Sequence, residues 1–387
     1  MKLAEVNQCT GCSACASICP KRCIHMEPDA EGFLRPTVEN NLCVDCSLCE
    51  KVCPVMNVLQ LHDDPPVAYA AYTKDETIRL ESSSGGIFSE LARAVLTQSG
   101  VVFGAAYNEQ FDVVHICVED EKKLFSLRSA KYVQSDLNNT FTEVKSRLDK
   151  GQQVLFSGTP CQVAGLKFFL QKEYPNLITV DFICHGVPSP MVWKEYVKYR
   201  AQQDNNGRLP FSINMRSKET GWSRYRYSNL FRYPNGTSYT ARSDESLFMK
   251  LFVGNFISRE SCSVCSFKGY NRYSDLTIGD FWGIWDISPE MDDDMGTSVV
   301  LCQSARGTNL LASISDQIVT KRVTLDEVSR HNNSMLTSSP PDPRRKEAID
   351  TIIAGNIPKC ENWFRPSKHA FLCKFLLLVN KLRKKGE

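Results

Sequence analysis

Between residues 151 and 202, short apolar runs alternate with segments of helical period. Residues 154–157 (Val-Leu-Phe-Ser) and 177–183 read as buried strands, and 160–171 and 190–202 read as helices. Such alternation predicts parallel strands joined by crossover helices. Upstream, 67–72 is a short apolar run, and Ser82, Ser83, Ser84, Gly85 and Gly86 lead into Ile87, Leu91, Ala94 and Val95 at helical spacing, with serine as the expected cap. Residues 100–107 and 111–118 read as two further strands, and 136–149 as a polar-faced helix. From 211 to 242 polar and aromatic residues alternate around an Asn235-Gly236 turn, which predicts an antiparallel excursion. Segments 275–279 and 297–302 are expected to return to the sheet, and 332–345, rich in Ser, Pro and Asp, to be a loop. The fold class is α/β, a mixed sheet with crossover helices and an antiparallel excursion.

The first 57 residues carry no such alternation. Their order lies in Cys9, Cys12, Cys15 and Cys19, then Cys43, Cys46, Cys49 and Cys53, each set closed by a proline (Pro20, Pro54) and the second set repeating the first after 34 residues. Three closely spaced thiolates on one loop can wrap a cubane, while the fourth is turned toward a neighbouring cluster. Cys9, Cys12, Cys15 and Cys53 are therefore assigned to one 4Fe–4S cluster, and Cys43, Cys46, Cys49 and Cys19 to a second. Disulfides would need neither the proline nor the repeat, and zinc sites would leave cysteines over. The run resembles the bacterial two-cluster ferredoxins, which implies a small α+β ferredoxin-like domain over residues 1–57. The polar, proline-bearing stretch 58–66 reads as a linker, 67–350 as the α/β domain and 351–387 as a helical tail.

Composition narrows the picture. A chain of 387 residues, 42% hydrophobic and 23% charged, can pack two or three domains, and its net charge of +2 gives no global attraction to nucleic acid. The N-terminus has no apolar signal core and enters a ligand loop at once. Of the seventeen cysteines at least eight have iron–sulfur spacing, which suits a reducing cytoplasm. The apolar stretch 371–382 is interrupted by Lys374, Asn380 and Lys381 and is too short to span a bilayer, so no transmembrane segment is expected.

A second constellation lies in the α/β region. Cys161 opens the helix after the first buried strand, with Pro160 before it, where the helix N-terminus is expected to lower a thiol pKa. Cys184 follows the next strand. If those strands are parallel, both cysteines emerge at carboxyl ends, where open α/β sheets place ligands. Cys262 and Cys265 add a C-x-x-C pair, and four thiolates suit a third cubane. Zinc held by four cysteines and a redox-active disulfide remain alternatives on spacing. Cys23, Cys117, Cys302, Cys360 and Cys373 lack such context and read as buried apolar side chains.

Taken together, Ser83-Ser-Gly-Gly86, the 128–135 segment, Gly158-Thr-Pro-Cys-Gln162, Cys184-His-Gly-Val-Pro-Ser189, Cys262-Ser-Val-Cys265 and Gly279-Asp-Phe-Trp-Gly283 resemble the beta-subunit family of coenzyme F420-reducing hydrogenases and dehydrogenases. The resemblance implies an oxidoreductase domain binding a flavin, FAD or FMN, beside a 4Fe–4S cluster held by Cys161, Cys184, Cys262 and Cys265. The partner is then a redox protein or a small-molecule electron donor or acceptor. On it, Ser84, Gly85, Gly86, Lys131, Tyr132, Gly158 and Thr159 are cofactor-binding candidates, and His185 and Asp280 are candidates for the protons that flavin reduction requires. Glycines before a helix allow close approach of a phosphate, and Lys131 offers it a counter-charge. Two features depart from the family: Arg128 stands where a glycine is usual, and no nickel-ligand motif is present. An electron-relay subunit without turnover of its own is the alternative reading, and a zinc-stabilised domain carrying a ferredoxin module is a further one.

Overall fold

The structure, a computed structural model, describes residues 2–58 and 64–364. The apolar stretch at 371–382, with Cys373, lies outside the described residues, as do the middle of the expected linker and the end of the expected tail.

The N-terminal unit repeats itself in space as in sequence. Short helices α1 (Ala14–Ile18) and α2 (Leu48–Lys51) flank an antiparallel pair, β1 (Ile24–Pro28) and β2 (Leu34–Val38). Gly11 and Asp45 both take a positive φ, as do Ser13 and Ser47, and each pair lies 34 positions apart. Left-handed residues at these points fold each loop tightly, which brings successive cysteines around one space; for the non-glycine residues the conformation is costly and is held by the surroundings.

The larger unit is an eight-stranded sheet. Its strands are β3 (Val67–Thr73), β4 (Val101–Tyr107), β5 (Val113–Val118), β6 (Val154–Ser157), β7 (Leu177–Phe182), β11 (Leu276–Asp280), β12 (Ser298–Cys302) and β13 (Ile318–Val323), in the order β13-β3-β12-β11-β7-β6-β4-β5. The centre, β4, β6, β7 and β11, is parallel, and antiparallel strands close both sides. Connections α3 (Glu76–Glu81), α4 (Ile87–Leu96), α5 (Thr140–Asp149), α6 (Pro160–Leu170) and α7 (Pro190–Asn205) lie between strands. Strands β4, β6 and β7 are mostly buried, as expected of parallel strands covered on both faces, and β11 is buried over its first half. β8 (Ser212–Ser217), β9 (Ser228–Arg232) and β10 (Ser238–Arg242) form the separate antiparallel sheet expected at 211–242.

One local expectation fails. The cap of α4 is Gly86 at φ 81°, without a side-chain capping bond, and no serine caps it. Gly85 packs so tightly on the sheet that a Cβ there would lie 2.4 Å from the Ala71 carbonyl oxygen, and its N–H donates to Ser298 Oγ. The turn is shaped by β3 and β12. Among the described residues no helix is long and apolar enough to cross a membrane.

Candidate functional site

The carboxyl ends of β3, β4, β6, β7 and β11 lie along one edge of the sheet, and the sequence-derived candidates gather there. α6 begins with a full capping box at Thr159 and Gln162, with Pro160 at its first position, and this fixes Cys161 in the first turn. Cys184 follows β7. Cys262 and Cys265 come from the turn around Glu260–Val264, which is pinned to the loop after β7 by the Pro188–Ser258 bridge and by the Arg259 N–H donating to Val187 O.

Three cavities collect thirteen of the cysteines. One is lined by Cys9, Cys12, Cys15, Cys49 and Cys53, one by Cys19, Cys23, Cys43, Cys46 and Cys49, and one by Cys161, Cys184, Cys262 and Cys265. Their volumes, open mouths and adjoining solvent included, are about 400, 330 and 470 Å³. Each of the first two takes three cysteines from one loop and two from the other side of the module, and Cys49 borders both. Among the described residues no group of three or more His, Cys, Asp or Glu side chains is placed to hold a single metal ion. Cys23 is buried in the small core of the module, as its sequence context suggests, and it also lines the second cavity with its Sγ 3.4 Å from that of Cys19.

The third cavity has Arg259, Lys268 and Arg272 in its wall and no carboxylate. Thr10 Oγ1, Ser261 Oγ and His185 Nε2 also belong to side chains of that wall, and each is buried without a hydrogen-bond partner, while Arg272 Nη1 lies 3.9 Å from Asp181. Buried polar groups are rarely left so; donors around a cavity suit an occupant rich in acceptors and negative charge. As free thiols, Cys161, Cys184 and Cys262 are each pushed up to about 12, chiefly by burial, with neighbouring thiols adding to the rise. For Cys161 this outweighs the helix N-terminus from which a lowered value was expected. A bound metal would have to displace these protons.

The cofactor candidates divide into two groups. Thr159 lines the third cavity, its Oγ1 3.1 Å from Cys161 Sγ, beside Gly158. Ser83, Tyr132 and Asp280 meet instead at a residue the sequence reading missed, Arg216. Its guanidinium grips Asp280 at 2.8 and 3.0 Å, donates to Tyr132 Oη at 3.1 Å and to Ser83 O at 3.1 Å, and lies 3.9 Å from the centre of the Tyr227 ring. Asp280 is thus committed to an ion pair. Ser84 turns its Oγ to Thr297 O, and its own carbonyl accepts from Lys218. The Lys131 ammonium is bonded to the carbonyls of Ser126, Arg128 and Ser129, and burial pulls it down to about 7. Phe252 joins the two groups, since its ring centre lies 5.1 Å from Tyr132 on one side and 5.1 Å from His185 on the other. His185 itself is pulled down by burial and by Lys268.

Residues 151–327 match the family described as the C terminus of the coenzyme F420 hydrogenase/dehydrogenase beta subunit, and residues 8–57 match the 4Fe-4S dicluster domain. Among solved structures, a chain of the F420-reducing NiFe hydrogenase complex from Methanosarcina barkeri, studied by xenon derivatization, is similar at 14% identity and a TM-score of 0.48, over 79% of this chain and 94% of that chain. Among curated proteins none gives a significant match. The cysteines that line the three cavities all fall within the two matched segments.

Proposed function

We propose that this chain, which joins a 4Fe–4S dicluster domain to the C-terminal domain of a coenzyme F420 hydrogenase/dehydrogenase beta subunit, is an iron–sulfur flavoprotein oxidoreductase that exchanges electrons between three 4Fe–4S clusters and a flavin, and so with a two-electron substrate or a partner. The division is residues 1–57 for the two-cluster module and 67–350 for the flavin and third-cluster domain. Thiolate-held clusters persist in a reducing compartment, so a cytoplasmic setting belongs to the reading.

The observation that carries it is the convergence of Cys161, Cys184, Cys262 and Cys265, from three separate segments, on one cavity with a basic wall. Zinc would need its sulfurs about 2.3 Å from a single point, whereas these thiols surround a space. The first cluster would be held by Cys9, Cys12, Cys15 and Cys53, the second by Cys43, Cys46, Cys49 and Cys19, and the third by the quartet just named. Clusters supply one-electron chemistry, and a flavin converts between one- and two-electron carriers.

The chain's own residues do the positioning. The Arg216 network holds Tyr132, Asp280 and the Ser83-Ser84 turn in one rigid patch, and Phe252 sets that patch beside the cluster cavity. With Asp280 paired, proton handling falls to His185, whose Nε2 has no partner. Gly85 and Lys131 serve the flavin through the turns they shape, since the first packs on the sheet and the second ties a loop of carbonyls.

Anaerobically purified protein should contain about twelve irons per chain, at four per cubane, and should bind FAD or FMN in equilibrium dialysis. An eight-iron protein with stoichiometric zinc overturns the third cluster. Twelve irons with no flavin bound leaves the electron-relay reading in its place.

A further inference from the structure

Arg259 stands between two of the three cysteine cavities and is 1% exposed. Its Nε donates to Cys9 O at 2.8 Å, its Nη1 to Leu34 O at 3.1 Å and to Gln134 Oε1 at 3.2 Å, and its Nη2 lies 3.8 Å from Cys9 Sγ. The same side chain lines the cavity of Cys161, Cys184, Cys262 and Cys265. Thr10 lines both that cavity and the one around Cys9, so the two share a wall.

Among the described residues, these hydrogen-bond acceptors are neutral oxygens and one cysteine sulfur. A buried guanidinium is costly unless negative charge lies near. The groups that supply it are Asp29, which is paired with Arg35, and Cys9 and Cys262, one from each neighbouring cysteine quartet, which become anionic once they hold metal. Resting on the cluster reading above, we propose that Arg259 is a shared electrostatic anchor, one buried cation that donates to a ligand sulfur of the first cluster and faces the third, raising the reduction potentials of both. Reduction adds negative charge, and hydrogen bonds to cluster sulfurs and nearby positive charge favour that state. The low dielectric around a buried cation strengthens its influence on both sides.

The test is a potentiometric titration followed by electron paramagnetic resonance, on the full chain with its iron counted. In Arg259→Met the first and third clusters should both move to more negative potential while the second stays in place. Arg259→Lys, which keeps the charge, should lie closer to the wild type. Arg345→Met is the control for docking alone, because Arg345 holds the same module through an ion pair with Glu31 and lines none of the three cavities. It should leave all three potentials unchanged.

Unshifted potentials in Arg259→Met with all clusters retained, a shift of the first cluster alone, or an equal shift in Arg345→Met would each overturn the assignment. If Arg259→Met loses iron, Arg259→Gln replaces it under the same criteria. Iron lost from both neutral variants but kept by Arg259→Lys supports the need for charge, whereas loss from all three variants points to packing and overturns it. Failure of the cluster reading itself shows separately, as eight irons and zinc in the unaltered protein.

Discussion

A guanidinium taken out of water is tolerated when its partners are fixed, and Arg216 has an aspartate, a tyrosine hydroxyl and a main-chain carbonyl around it. Its side chain is 2% exposed and that of Asp280 17%. Removing one partner of such a pair strands the other, which typically costs about 3–5 kcal/mol. Arg216→Met should therefore destabilise the protein by about that much in chemical unfolding. Arg232→Met, which breaks a half-exposed pair with Glu219, should cost no more than about 1 kcal/mol. Equal effects would mean that the Arg216 network does not order the site. Lys218 makes a pH prediction at the same scale. Its ammonium donates to the carbonyls of Arg79, Ser84 and Met295, and burial, with Arg216 and Arg79 adding repulsion and Asp280 and Asp293 opposing it, pulls its pKa from 10.5 down to about 7. Between those values the unfolded chain binds the proton and the folded chain does not, so stability rises with pH across that window and is flat below it. The unfolding midpoint of the wild type, minus that of Lys218→Met, should accordingly grow from pH 7 toward pH 10. A flat difference would show that the amine keeps its proton.

At the scale of elements, α1 of the N-terminal module lies on α6 of the α/β unit, and the contact is close because α6 carries a glycine there. A Cβ at Gly165 would sit 2.9 Å from both Cβ and Sγ of Cys12. Alanine is worth about 1 kcal/mol more than glycine in a helix interior, yet Gly165→Ala should weaken the first cluster, because the displaced group is a proposed ligand. The expected result is selective loss of the first cluster's signal with the second and third retained; full retention of all three would show that the helices move apart freely. α6 itself was legible in the sequence, from Pro160 at its start and the apolar strand before it, and so were both cysteine loops, whose spacing is local. What escaped was non-local or irregular. Alternation along β8 would turn Arg216 outward, but the pairing with β9 slips between Asn214 and Ser217, and the extra residue of that bulge turns the arginine inward. Arg259 immediately precedes a 3-10 turn and has no periodic pattern to mark it. Cys23 is the core residue its context suggests, but its place on a cavity closed by cysteines from two loops is not something spacing puts together.

The whole molecule is more tightly joined than a linker at 58–66 suggests. Cys12, Ala14 and Val52 from the module share one hydrophobic core with Phe103, Phe156, Val163 and Leu166 of the α/β unit. Around that core the Leu34 N–H donates to Gln134 Oε1, and Arg345 pairs with Glu31. Hydrophobic burial of this kind makes an interface cooperative with the cores it links. Bleaching of cluster absorbance and loss of helical signal should therefore follow one coincident denaturation curve, whereas a module held only by its linker would give two. Gly32 offers the means to separate them. It takes φ +83°, where an L side chain is strained, and a Cβ there would lie 2.3 Å from Met191 Cβ at the start of α7. Gly32→Ala is thus opposed twice, by backbone conformation and by a clash across the interface, and should cost more than about 1 kcal/mol. Gly32 lines none of the three cysteine cavities, so the clusters should still assemble. The expected result is a protein with its full complement of iron whose cluster bleaching precedes the loss of α/β structure. If the two curves instead stay superimposed and shift together, the clash is relieved within α7 and the shared core alone holds the units together.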